Sequence, residues 1–95
     1  MAEIKHIERG GRGAFIVKSD GKRLAEMTYV NAGDTGFIID HTEVDDSLKG
    51  QGVGKELLAA AVEYARANRL KVYATCPFAL RELNNTPEYH DVFTP

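Results

Sequence analysis

Lys49-Gly50-Gln51-Gly52-Val53-Gly54-Lys55 is the stretch that decides the fold. On its N-terminal side, Thr35 to Val44 reads as a strand carrying Phe37, Ile38 and Ile39 inward. On its C-terminal side, Val53, Leu57, Leu58, Ala61, Val62 and Ala65 recur at helical spacing, which predicts a helix over Gly52 to Asn68. A glycine-rich turn that runs from a strand into a helix is an anion cradle. Glycines let the backbone approach closely, and the helix start contributes free amides and a positive dipole. Lys49 and Lys55 add positive charge, so a pyrophosphate is the natural guest. Two phosphate motifs are excluded. The nucleotide P-loop needs glycine where Lys49 stands and Ser or Thr where Glu56 stands. The dinucleotide fingerprint starting at Gly50 needs glycine where Lys55 stands. A bare flexible connection is a poor reading of three glycines at alternate positions between lysines.

Upstream, the pattern is a meander of short strands. Ile4 to Glu8 alternates loosely, Gly10, Gly11 and Gly13 punctuate, and Ala14 to Val17 is a short apolar strand. Asp20-Gly21 is a hairpin turn signal. Leu24 to Val30 alternates Leu24, Glu26 and Thr28 against Ala25, Met27 and Tyr29. Downstream of the helix, Leu70 to Thr75 has strand propensity through Val72 and Tyr73. Strand, helix, strand implies a parallel crossover. A second short helix is expected from Pro77 through Leu83, with proline at its first position. The tail from Asn84 to Pro95 is irregular, with room for a short final strand.

The 95 residues form one domain, residues 1–95, by the usual size range. Twelve Lys+Arg against fourteen Asp+Glu leave a net charge of −2, which argues against a nucleic-acid binder by bulk charge. Aromatics do not interleave with basic residues, which weakens that class further. Glu3, Lys5 and His6 interrupt the place of a signal core. The longest apolar run, Leu57 to Val62, is far short of the roughly 20 residues of a membrane span. A cytoplasmic, intracellular protein is expected. One cysteine and three histidines scattered along the chain have no zinc spacing, so no metal is expected.

With the phosphate motifs removed, Lys49-x-x-Gly52-x-Gly54 resembles the phosphate loop of the GNAT acetyltransferase superfamily, commonly Q/R-x-x-G-x-G/A. Lysine in the first position keeps the charge. Three further segments are similar to the short one-domain branch of that superfamily, in the same order: His41-Thr42-Glu43-Val44, Cys76-Pro77-Phe78 and Pro87-Glu88-Tyr89. The resemblance therefore covers nearly the whole chain. It implies a minimal GNAT-like α+β fold: a mixed, mostly antiparallel sheet splayed near Val44, one main helix and one short helix. It implies acetyl-CoA as co-substrate, bound by the backbone from Lys49 through Gly50, Gln51, Gly52, Val53, Gly54 and Lys55, with the pantetheine arm along Val44. The tyrosine that often protonates the leaving thiolate in the superfamily has no counterpart, because Leu83 falls at its place. That departure favours a role for Cys76, or for Tyr89 or His90 folding back from the tail.

Cys76 falls at the N-cap of the second helix if Pro77 is its first residue. A thiol there feels the helix dipole, which favours thiolate and nucleophilic attack. The alternative is a small buried hydrophobe. His41 and Glu43 lie two apart on one strand and share a face. One of them is a candidate base for an acceptor amine, or His41 pairs with Cys76; local hydrogen bonding is the plainer alternative. Asp45 and Asp46 fit a turn. Arg81 fits a solvated helix charge, with the cofactor phosphate as the other reading. The expected function is acetyl transfer from acetyl-CoA to an amine, a protein lysine or a small amine, by direct attack or through acetyl-Cys76. The competing reading is a non-catalytic acyl-CoA-binding or sensing module. A thiol redox protein ranks last, because no second cysteine is present to resolve an oxidised thiol.

Overall fold

The structure is a computed structural model that describes residues 3–95. Strands β1 (Ile4–Arg9), β2 (Arg12–Ser19), β3 (Lys22–Ala32) and β4 (Gly36–Val44) form an antiparallel meander. A 3-10 turn, Asp46–Leu48, then leads into α1 (Val53–Ala67). Strand β5 (Lys71–Ala74) returns parallel to β4, and α2 (Pro77–Asn85) follows it. The sheet order is β1-β2-β3-β4-β5, so the fold is the expected mixed α+β arrangement. The predicted final strand is absent among the described residues. The tail instead forms a 3-10 turn at Pro87–Tyr89, and the Val72 amide donates to the Val92 carbonyl at 2.8 Å. Pro87 supplies no donor for a ladder, so this single bond closes the sheet edge. Arg66 holds the tail further through Asp91 and the Glu88 carbonyl.

α1 follows its apolar period. Val53, Leu57, Leu58, Ala61, Val62 and Ala65 are all buried, and they pack on Ala25, Met27, Tyr29, Phe37 and Ile39 of the sheet. Each large side chain there contributes about 1.5–3 kcal/mol by leaving water. Glu56 in the first turn and Arg66 in the last complement the helix dipole. Both helices bury their apolar faces in the same core cluster, α2 through Ala79 and Leu83.

Two departures from regular pairing shape the rest. First, Tyr29 pairs with Ile39 but Thr28 pairs with His41, so Asp40 is an inserted residue in β4. A bulge of this kind leaves two successive side chains on one face and resets the alternation beyond it. Second, β5 pairs with β4 only as far as Ile39↔Ala74. The Thr75 and Cys76 amides then both turn to the Ile39 carbonyl, at 2.9 and 3.2 Å. The sheet therefore opens just past Ile39, earlier along β4 than the expected position near Val44. The segment from Asp40 to Val44 keeps β3 on one side and has no β5 residue on the other.

At the far end, His6 on edge strand β1 stacks on Phe15 at 4.3 Å and meets Tyr64 edge-on at 4.4 Å. Its Nε2 hydrogen-bonds the hydroxyl of Tyr29, which is fully buried. His6 is a surface residue with its ring committed to this cluster. Partial burial lowers its pKa below 6.5, and Glu8 opposes that shift weakly. Below pH 6.5 the unfolded chain then takes up this proton more readily than the folded one. Stability should fall as pH drops through 6.5 and level off below the lowered value. The expected result is a lower thermal midpoint at about pH 5.5 than at about pH 7, with the difference largely removed in His6→Gln. A wild-type midpoint that stays flat over that range would contradict it.

Candidate functional site

The glycine stretch forms one wall of a groove of about 380 Å³. Thr42 and Val44 of β4, Leu48, the start of α1 and Phe78 of α2 complete it. Gly50 and Gly52 have φ of 82° and 74°, in the left-handed region that glycine alone enters without strain. A Cβ at either would meet nothing within 4 Å, so the space over the loop is open. Gly54 is glycine for a different reason. A Cβ there would stand 2.9 Å from Cζ of Phe78, whose ring lies against the first turn of α1.

Gly52 is the N-cap of α1 and offers no side-chain cap. The first helical bond runs from the Glu56 amide to the Gly52 carbonyl at 3.1 Å. The amides of Gly52, Val53, Gly54 and Lys55 are thus the orphan donors of the helix start, and they border the open groove. Lys55 lines the groove and is exposed. Lys49 also lines it, but its Nζ sits 2.9 Å from Asp46 Oδ1, and this hydrogen bond raises its pKa. Both partners are strongly exposed, so the pair is weak and easily exchanged for another anion. Gln51 does not line the groove. Its amide donates to the Leu48 carbonyl and its side chain to the Ser47 carbonyl. Asp45 makes the expected turn, accepting from the Ser47 amide at 3.0 Å and from the Ser47 hydroxyl, bonds that lower its pKa.

Cys76 is the N-cap of α2, with Pro77 at the first helical position. It is 5% exposed and belongs to the core cluster. Its Sγ donates to Thr42 Oγ1 at 3.4 Å, across the opening between β4 and β5. Of the alternatives for His41, local hydrogen bonding is the one observed, and the pairing with Cys76 is not. His41 and Glu43 do share a face, with His41 Nε2 3.2 Å from Glu43 Oε1. It is the face opposite Thr42 and Val44, because the inserted Asp40 shifts the alternation by one. Without that bulge, positions 41 and 43 would follow Phe37 and Ile39 inward. Both side chains are instead largely exposed, at 56% and 71%, beside Glu26 of β3. Donor atoms of Glu26, His41 and Glu43 lie within 4.8 Å of one another, a cross-strand cluster that linear spacing hides. Glu26 also pairs with Arg23 at 3.3 Å, so the cluster is internally satisfied surface charge.

Tyr89 and His90 do not reach the groove. Tyr89 packs against the core, and His90 Nε2 is 3.0 Å from the Leu83 carbonyl. Leu83 is fully buried, and Arg81 lies outside the groove lining. Sequence reading left out three groove-lining side chains, Thr42, Leu48 and Phe78. Thr42 had no signal without the bulge.

Residues 14–92 match the family model described as GCN5-related N-acetyl-transferase. The chain belongs to the GCN5-related N-acetyltransferase family. Among relatives of this acetyltransferase domain, Protein NATD1 of Homo sapiens is 30% identical over 95 residues, covering 97% of this chain and 82% of that protein. The NMR solution structure of a GCN5-like protein from Staphylococcus aureus is 40% identical, with a TM-score of 0.74, covering 98% of this chain and 90% of that one. Ribosomal-protein-alanine N-acetyltransferase from Brucella melitensis shares the fold alone, at 16% identity and a TM-score of 0.61 over 78% of this chain and 61% of that one. No helix among the described residues is long and apolar enough to cross a membrane.

If the open amides and lysines of this acetyltransferase domain hold an anion, the Asp46 carboxylate opposes it. Asp46→Asn should therefore tighten coenzyme A binding, by about two- to threefold at low salt and less at high salt. Isothermal titration of wild type and variant measures this, and weaker binding by the variant would contradict it.

Proposed function

We propose that the domain is an acetyl-CoA-dependent N-acetyltransferase in which Cys76 accepts the acetyl group and passes it to an amine. The observation that carries this reading is a coincidence of three features in one place. The open glycine turn and orphan amides of α1 and the unpaired edge of β4 border one groove, and the buried thiol of Cys76 lies behind its Thr42 wall. The pyrophosphate would lie over Gly50 to Gly54 with Lys49 and Lys55 alongside, and the pantetheine arm along Val44, where backbone groups are free to bond it.

The groove's own side chains include no carboxylate and no imidazole among the described residues. A route that needs a base beside the acceptor amine is thus less well served in the groove than a route through a thiol. His41, held by Glu43, is then the candidate base for an acceptor that approaches from the outer face of the sheet. The acceptor class is a protein lysine or an exposed small amine. The same absence favours one other reading, a non-catalytic acyl-CoA-binding module.

Native mass spectrometry of the protein with acetyl-CoA, beside Cys76→Ala, separates these. The expected result is a complex in both proteins and an added acetyl group on wild type only. A complex without acetylation, together with no turnover across a panel of amines, would leave the binding module. No complex in either protein would overturn the cofactor assignment.

A further inference from the structure

We infer that Thr42 is a positioning residue for Cys76: its hydroxyl holds the thiol toward the groove and then donates to the thiolate. The inference deepens the proposed acyl-carrier role and rests on it for its function, though not for its test. Cys76 stands at a helix N-cap yet makes no side-chain cap bond to α2. Its Sγ points to Thr42 Oγ1 at 3.4 Å instead. Thr42 lines the groove, whereas Cys76 lies behind it at 5% exposure. The hydroxyl therefore links the thiol to the groove wall. It reaches that place only because the inserted Asp40 turns Thr42 inward. Among the described groove-lining side chains, Thr42 carries the single neutral hydroxyl, and the others are apolar or lysine.

A hydroxyl suits both states of the sulfur, because it accepts from S–H and, after rotation about its C–O bond, donates to S⁻. Thiol–thioester exchange requires that change. The Cys76 thiol releases its proton to solvent, and Sγ attacks the acetyl carbon. The new Sγ–C bond forms as the C–S bond to coenzyme A breaks. The released coenzyme A thiolate takes up a proton to replace the one Cys76 gave up, so protons and electrons balance without an oxidant or reductant.

The test compares Thr42→Val, which keeps the shape and removes the hydroxyl, with Thr42→Ser, which keeps the hydroxyl. Two rates are read by intact mass: alkylation of Cys76 by iodoacetamide at about neutral pH, and S-acetylation by acetyl-CoA. Acetyl-CoA affinity and the thermal midpoint are followed alongside. Thr42→Val should slow both reactions about tenfold, the worth of one hydrogen bond to a charged sulfur, with affinity within about twofold. Thr42→Ser should restore both rates to within about threefold of wild type. Equal alkylation rates in wild type and Thr42→Val, or an equal loss in Thr42→Ser, would overturn the inference. If wild type takes no acetyl group, the acyl-carrier reading falls, and the alkylation ratio still decides whether Thr42 governs the thiol.

Discussion

Gly52→Val should abolish most coenzyme A binding while leaving the protein folded. Gly52 has φ of 74° at the N-cap of α1. A side chain in that region costs about 1–2 kcal/mol in backbone strain, and a β-branched one more. Relief of that strain rotates the peptide that presents the first orphan amides. The added methyl groups also project into space that is now open, where a phosphate would have to come within hydrogen-bonding distance. Loss of two charge-assisted bonds, each about 1.5–3 kcal/mol, corresponds to an affinity loss of about 100-fold or more. The loop is exposed and packs against nothing at this point, so the fall in the thermal midpoint should be limited to the equivalent of the backbone strain, about 4–8 °C for each kcal/mol. Isothermal titration with coenzyme A and a thermal melt of the same sample settle both halves. A folded variant that binds within tenfold of wild type would remove the glycine turn from the site.

The asymmetry between what the sequence disclosed and what it concealed has a physical cause. Signals that lie in consecutive residues were legible. The buried stripe of α1 is the apolar period of Val53 to Ala65 residue for residue, and the caps at Gly52 and Cys76 follow from Gly and Pro chemistry. What depended on register was hidden. The sidedness of β4 turns on one inserted residue, and nothing in Ile39-Asp40-His41-Thr42 announces which strand position has no partner. That insertion moved His41 and Glu43 to the outer face and brought Thr42 inward, so the candidate base and the thiol's true neighbour changed places. Gly54 shows a related limit. Its spacing suggested a phosphate contact, while the packing adds a second demand from the Phe78 ring.

The same insertion gives the domain its two surfaces. The inward face beyond Asp40 carries the groove, with Thr42, Val44 and Cys76 near one another. The outward face carries charge: Asp40 accepts from the Thr28 hydroxyl at 2.6 Å and pairs with Arg12 at 3.4 Å, while His41, Glu43 and Glu26 cluster beyond it. The unpaired edge of β4 lies between these faces, so the groove and the His41–Glu43 pair are separated by one layer of backbone.

Gly13→Val should strongly destabilise the fold. Gly13 lies opposite Tyr29 in the β2–β3 pairing, and a Cβ there would overlap the tip of the Tyr29 ring. The ring has nowhere to go. It is fully buried, its centroid is 4.7 Å from that of Phe37, and its hydroxyl is tied to His6. Moving it would open a gap against Phe37 and leave a buried hydroxyl without its partner, which costs about 1–3 kcal/mol in addition to about 1–3 kcal/mol of overpacking. The sum, about 2–6 kcal/mol, corresponds to a drop of at least about 8 °C in the melting midpoint of a domain this size. Tyr29→Leu is destabilising on its own but withdraws the atoms that the new side chain would strike. In that background Gly13→Val should cost much less, giving a coupling of about 1–3 kcal/mol. Purely additive losses in the double variant would show that Gly13 is needed for a reason other than the ring packed against it.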